Sequence, residues 1–372
     1  MLFACFADFS QTLNDAMTNS KHESMLSAQC SLASTPPVDC VSLAHGEGAR
    51  ATRELIARHI LPHFGNAQLA SLPDAAALNI ATERIAITTD SFVVSPLFFP
   101  GGDIGSMAVY GTVNDLAVSG AVPKWLSVAL IIEEGFAFSQ LDRIIASMST
   151  AAERCGVEVV TGDTKVVPRG AMDGLFINTT GIGELRPDAP GGPNTIQPGD
   201  SLIVSGPIGS HGMAVLTARE ELALSPPPNS DSGPLQEAVA ALLEAIGNGV
   251  RAIRDATRGG VSAVLHEWAD DCGLTLQLEE SLIPVTAEVR GACELLGMDP
   301  LYIANEGTMV IAVDPNSEVQ ALAALRTCPQ TRNAVRIGTV QPKTISPVTI
   351  TRLLGAVQPV DEPTGAMLPR IC

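Results

Sequence analysis

VEVVTGDTK (157–165) restates an earlier stretch, RIAITTD (84–90), and the pair decides the fold. Each is an alternating, β-branched run that reads as a strand with an aspartate, Asp163 or Asp90, at its C-terminal exit. Between them GSMAVYGTVNDLAVSGA (105–121) places small apolar residues at helical spacing, and FSQLDRIIASMSTAAERCG (138–156) is an amphipathic helix stopped at Gly156. GLFINTTGIGEL (174–185) is a further strand. Strands alternating with helices predict α/β or α+β architecture.

The stretch RPDAPGGPNTIQPGD (186–200), rich in proline and glycine, reads as a linker between two domains. Beyond it the alternation restarts with SLIVSG (201–206), a glycine-rich turn and a helix, then the low-complexity loop SPPPNSDSG (225–233). IRDATRGGVSAVLHEWADDCG (253–273) reads mostly as a helix entered through a polar turn, TLQLEE (275–280) as a strand, and NEGTMVIAV (305–313) as a buried strand preceded by Glu306. From Val348 onward Pro359, Pro363 and Pro369 predict an irregular arm ending in AMLPRIC (366–372). The expected organisation is a disordered extension over 1–41, an N-terminal domain over 42–185, a linker over 186–200, a C-terminal α/β domain over 201–347 and a flexible tail over 348–372.

At 372 residues the chain has room for two domains with sizeable cores. Its apolar content is 46% in short runs, with no span of twenty, which excludes a membrane-spanning helix as the organising element. A formal net charge of −18 disfavours nucleic acid or an anionic membrane as partner. The eight cysteines include no CxxC pair and no zinc-like spacing, and this pattern suits a reducing cytoplasm.

Neither a P-loop nor a dinucleotide fingerprint is present. Three acidic turns stand in their place: Asp90 in TTDS, Asn114 and Asp115 in VNDLAV, and Asp163, Thr164 and Lys165 in TGDTK. Hard oxygens in such turns suit Mg²⁺, which keeps waters and bridges phosphates; Gly162 allows backbone approach and Lys165 adds a point charge. The same aspartates read equally as turn formers and helix caps. Asp255 in RDATRGG is a further candidate ligand or cap, and Glu306 a candidate general base if the strand behind it buries it. His211 and His266 read as satisfied structural groups. Cys372 is a thiol on the last residue of the sequence, with Arg370 partly offsetting the adjacent carboxylate.

Taken together, LAHGEGA, TTDSFVVSPLFFPGGDIG, GTVNDLAVSGA, EEGF, VTGDTKVVPRGA, FINTTGIG, RDATRGGV, ANEG and PRIC occur in an order that closely resembles the HypE family of hydrogenase maturation factors. These are carbamoyl dehydratases in the superfamily of aminoimidazole ribonucleotide synthetase and selenophosphate synthetase. The resemblance runs from Leu43 to Cys372. It implies a two-domain, synthetase-like fold, a homodimer, and use of ATP with Mg²⁺. It also implies that Cys372 receives a carbamoyl group from the carbamoyltransferase HypF and that the thiocarboxamide is dehydrated to a thiocyanate. The nitrile then passes to iron on the HypC–HypD complex and becomes a cyanide ligand of a [NiFe]-hydrogenase. Carried onto this sequence, Asp90, Asp115 and Asp255 are expected metal ligands, and Asn114, Gly162, Asp163 and Thr164 lie near the nucleotide. Glu306 is the expected base and Lys165 the cation on the phosphate or the polarised carboxamide. Two other readings are a synthetase or kinase acting on a free small molecule, which needs no terminal cysteine, and a non-catalytic carrier, which needs no acidic turns.

Overall fold

A thirteen-residue strand, β4 (Ala121–Glu133), templates the first sheet of the computed structural model. The residues described are 40–47, 50–66, 69, 75–363 and 371, all within the unit Val38–Cys372. Strand β1 (Ile85–Phe92) is followed by a two-stranded ribbon of β2 (Phe98–Phe99) and β3 (Gly102–Asp103) and by helix α1 (Ile104–Val118). After β4 come α2 (Phe138–Cys155), β5 (Glu158–Val167) and β6 (Leu175–Leu185). The sheet order is β1-β6-β4-β5, with β4 and β5 parallel across the α2 crossover and the other pairs antiparallel.

Helices α1 and α2 cover one face of this sheet. The Asp103 carboxylate caps α1 by accepting from the backbone N–H groups of Gly105 and Ser106, at 2.8 and 3.2 Å. Along α1 only Ser106 and Asp115 escape full burial. A helix apolar on all sides must be enclosed on all sides. Its first turns pack on the sheet with Phe92 and Ile144, while Ala117 and Val118 join the core of the second half with Leu235 and Leu242. The sheet's other face presents Ile85, Ile87 and Ile131, with Ile87 68% exposed and directly opposite Ile182.

The second half comprises β7 (Ser201–Val204), α3 (Ser210–Arg219), α4 (Gln236–Ile246), β8 (Val250–Asp255), α5 (Gly260–Cys272), β9 (Thr275–Glu279), α6 (Ala287–Leu296), β10 (Met309–Val313), α7 (Glu318–Arg326), β11 (Val335–Gln341), β12 (Val348–Thr351) and β13 (Val357–Pro359). Its sheet runs β13-β12-β9-β11-β7-β10-β8, antiparallel except between β9 and β12. Every residue of β10 is buried: Val310 and Ala312 enter one core, and Met309, Ile311 and Val313 the other. A strand covered on both faces reads as a continuous apolar run, which is why MVIAV is legible as buried.

Several expectations change. Asp90 and Asp163 lie inside β1 and β5, not at their exits, because each strand stays paired past the aspartate, β5 as far as the Val167–Glu133 pair. IRD closes β8, and helix α5 begins only at Gly260. The expected arm from Val348 first contributes β12 and β13; Pro359 is tolerated because β13 is an edge strand. Cys40 and Val41, expected in the extension, pair with the 135–137 segment. The rest of the extension and Cys372 lie outside the described residues. Among those described, no helix is long and apolar enough to cross a membrane.

Candidate active site

Alternation along β1 turns Thr88 and Asp90 towards α1 and Ile87 and Thr89 away from it. Asp115 on α1 accepts from the Thr88 hydroxyl at 2.8 Å, and Asp90 from Thr112 at 3.4 Å. Asp255, the last residue of β8, is opposite Met309, and the short turn before β10 carries Glu306 into the same place. Four of the expected residues therefore meet: Asp90, Asp115, Asp255 and Glu306 line a narrow cleft of about 40 Å³ with Gly111, Thr257 and Arg258. Gly111 is required here, since a Cβ would stand 2.9 Å from the Phe92 ring and 3.8 Å from Glu306 Oε2.

Asp90, Asp255 and Glu306 bind protons more tightly than ordinary carboxylates. Burial, then the charge of Asp115, pushes Asp90 up to about 6. Burial, again followed by Asp115, pushes Asp255 up to about 7. Glu306 is raised well above the usual carboxylate range by burial first and then by Asp255, Asp231, Asp90 and Asp115. It is 3% exposed, and its Oε1 has no hydrogen-bond partner among the described residues. An orphaned buried oxygen among three aspartates fits a cation or a proton donor that the described residues do not supply. No three of these acids converge into a ready ligand cage among the described residues. Mg²⁺ asks for less than such a cage, since it takes one or two carboxylates and fills the rest with water and phosphate oxygens.

Two residues fix Glu306. The Asp231 carboxylate accepts from the backbone N–H groups of Glu306 and Gly307, at 3.2 and 3.0 Å. Asn114 donates to the carbonyls of Gly233 and Glu306 and accepts from Leu235 N–H at 2.8 Å. Asn114 was expected beside the nucleotide; its amide is instead engaged by the protein's own backbone, so it acts as a brace between α1 and the Glu306 turn. Sequence reading names Arg258 only as a neighbour of Asp255 and misses Asp231 and Thr257. Asp231 sits in the polar loop SPPPNSDSG, where its side chain is indistinguishable from ordinary loop composition.

Gly162, Asp163, Thr164 and Lys165 form a second group. They line a cavity of about 380 Å³ with Gly46, Thr52, Arg53, Phe64 and the apolar floor Val128, Leu130 and Ile145. Gly162 lies against β4, where a Cβ would come within 2.2 Å of the Val128 carbonyl. Thr164 is buried, whereas Lys165 and Asp163 are exposed, 3.8 Å apart, towards the face that carries Ile131. Strands β1 and β5 are the two edges of the sheet, three inter-strand spacings or roughly 14 Å apart. Strand order and face therefore separate Lys165 from Glu306 within one chain.

Residues 73–185 match the N-terminal domain of AIR synthase related proteins, and residues 197–350 match their C-terminal domain. The chain is 45% identical over 337 residues to carbamoyl dehydratase HypE of Escherichia coli strain K12, covering 89% of this chain and 99% of that protein. A crystal structure of the hydrogenase maturation protein HypE in complex with ATP is 42% identical, with a TM-score of 0.85 over 89% of this chain and 99% of that one. A HypE–HypF complex is 43% identical, with a TM-score of 0.73 over 83% of this chain and 99% of the matched chain.

Proposed function

The chain belongs to the HypE family of hydrogenase maturation carbamoyl dehydratases, and we propose that it converts a thiocarboxamide on Cys372 to a thiocyanate with ATP. The observation that carries this reading is the buried Glu306 with its unpartnered Oε1, set among three aspartates.

An amide oxygen is a poor leaving group. Phosphorylating it on the thiocarboxamide turns loss of water into loss of phosphate, and the nitrogen gives up two protons as the C≡N bond forms. Glu306 accepts one of these protons, and the departing phosphate carries the other. Its raised affinity for protons, from burial and neighbouring carboxylates, suits a base acting near neutral pH. Asp231 and the Asn114 brace hold the base in place. Asp90, Asp115 and Asp255 would hold Mg²⁺, one or two of them directly and the remainder through its waters, and the ion when bound neutralises charge on the transferring phosphoryl. The 380 Å³ cavity beside Gly162 and Thr164 lies within the range of small-molecule sites and supports nucleotide binding there.

Lys165 is assigned to the phosphate or the polarised carboxamide. Because it lies on the face carrying Ile87 and Ile131, its role depends on what that face meets, and a second copy of the chain is the partner proposed. The relative captured with HypF supports HypF as carbamoyl donor, and HypC–HypD is the proposed acceptor.

The test is intact-protein mass spectrometry after incubation with HypF, carbamoyl phosphate and Mg-ATP. A carbamoyl adduct that converts to the lighter cyano adduct, absent in Cys372→Ala, is the expected result. An adduct that persists without Cys372 would overturn the assignment.

A further inference from the structure

The Glu306 carboxyl is not drawn into the cleft by its neighbours. Its Oε1 has no hydrogen-bond partner among the described residues, and Asp255, Asp231, Asp90 and Asp115 all act on it with like charge. A carboxylate so surrounded is pushed towards water once it ionises. Its place has to come from the backbone that carries it.

Part of that hold comes from the connection between α7 and β11. Pro329 opens a single 3-10 turn, Pro329–Thr331, behind α7. The buried Thr331 hydroxyl donates to the Leu325 carbonyl at 2.6 Å, and Cys328 N–H reaches the same carbonyl at 3.2 Å, so the turn is pinned to the end of α7. The pinned turn delivers Gln330 to the Glu306 segment. Gln330 Nε2 donates to the Asp231 carbonyl at 2.8 Å and to the Gly307 carbonyl at 3.3 Å. Both partners only accept, which fixes the nitrogen's place in the amide. The fit leaves no room for side chains around it. A Cβ on Gly307 would come within 1.9 Å of the Asp231 carbonyl oxygen and 2.4 Å of Gln330 Nε2, and one on Gly233 within 2.5 Å of Gln330 Oε1. The glycine of the NEG motif is therefore required by what packs on it.

The contacts close a ring. Asp231 holds the turn through its carboxylate, which accepts from Glu306 and Gly307 N–H, and Gln330 holds Asp231 and Gly307 to each other through their carbonyls. We propose that Gln330 is a positioning residue for Glu306: by tying Asp231 to Gly307 it keeps the Glu306 turn, and with it the carboxyl, in the acid cleft. The chemistry assigned to Glu306 rests on the carbamoyl dehydratase reading, whereas the tie is independent of it. Gln330 touches no reacting atom.

The experiment first measures hydrogen–deuterium exchange of the backbone amides of Glu306 and Gly307 in the full chain. Gln330→Met keeps the side chain's length and removes both donors, and it should speed that exchange roughly ten-fold, the factor expected for one buried hydrogen bond. Gln330→Ala should do at least as much, and the Met variant decides the matter if the Ala variant fails to fold. Unchanged exchange in Gln330→Met would overturn the tie. A second arm follows single-turnover dehydration of protein loaded by HypF. Gln330→Met should load normally and dehydrate roughly ten-fold more slowly with full amplitude. A loss of amplitude at an unchanged rate constant would instead mean an unfolded fraction and overturn the positioning role. In a Glu306→Gln background the same substitution should cost almost nothing, because it acts through Glu306; an equal cost in both backgrounds would make Gln330 structural only. If exchange speeds up in Gln330→Met but wild type never forms the cyano adduct, the tie stands and the dehydratase reading falls.

Discussion

Raising the pH of the metal-free protein should weaken it, and the cleft sets the size of the effect. Asp90 and Asp255 titrate near 6 and 7 in the folded chain against 3.8 when unfolded, and Glu306 well above its unfolded 4.5. A folded value above the unfolded one adds stability that is complete below about pH 4 and is lost as pH climbs through the folded value, here by about pH 7. For Asp255 the rise of about three units corresponds to roughly 4 kcal/mol. The acids repel one another and share protons, so their losses do not add, and we expect roughly 3–5 kcal/mol for the group. Asp255→Asn keeps the shape and removes one central charge. In urea unfolding with a chelator at pH 5, 6, 7 and 8, the wild-type minus variant difference should swing in the variant's favour as pH rises. Taking the difference cancels titrations elsewhere, including His211, whose lowered proton affinity acts in the opposite direction. Excess Mg²⁺ at pH 8 should restore the wild type and leave the variant nearly unmoved. A difference that is flat between pH 5 and pH 8 would refute the picture of a crowded, under-neutralised acid cleft.

Three further outcomes are expected. Glu306→Gln should accept carbamoyl from HypF normally and slow the dehydration step by roughly 10²–10⁴-fold in single-turnover assays; normal turnover would remove Glu306 from the base role. Asn114→Ala strands the Leu235 N–H and two buried carbonyls, so urea unfolding should show a loss of about 2–4 kcal/mol, and a loss under 1 would mean the brace is not needed. Ile87→Asp places a charge in the exposed apolar sheet face and should shift sedimentation from dimer to monomer without changing the circular dichroism; an unchanged sedimentation coefficient would argue against that face as the contact.

What the sequence disclosed follows from how local the governing physics is. MVIAV is a strand buried on both faces, and α2 is an amphipathic helix with a left-handed glycine cap at Gly156, so both are legible from a few neighbouring residues. The exits of β1 and β5 are not local. TGDTK has the composition of a turn, yet it stays extended because β4 continues beside it and Gly162 lets that strand approach. Likewise β12 and β13 are short and carry Thr349, Thr351, Gln358 and Pro359, and only pairing of β12 on the edge of β9, and of β13 on β12, makes them strands. Within the site, Asp90, Asp115, Asp255 and Glu306 were nameable because acids beside short polar turns stand out in an apolar chain. Asp231 and Asn114 act on the backbone of residues 75 and 192 positions away, a relation that no spacing rule encodes.

The division of the expected site into two groups bears directly on how the reaction is organised. Glu306, the proposed base, and the acids around it lie on β1, α1, the β8 end and the 304–307 turn. The proton acceptor we propose and its surrounding acids therefore sit within a single chain. Lys165 lies across the sheet and on its other face, beside the apolar residues that invite association. Charge stabilisation by Lys165 consequently depends on what covers that face, whereas deprotonation by Glu306 does not. A monomeric Ile87→Asp protein would thus separate the two contributions: Glu306 and its acids should keep their arrangement, while any step that draws on Lys165 should fail.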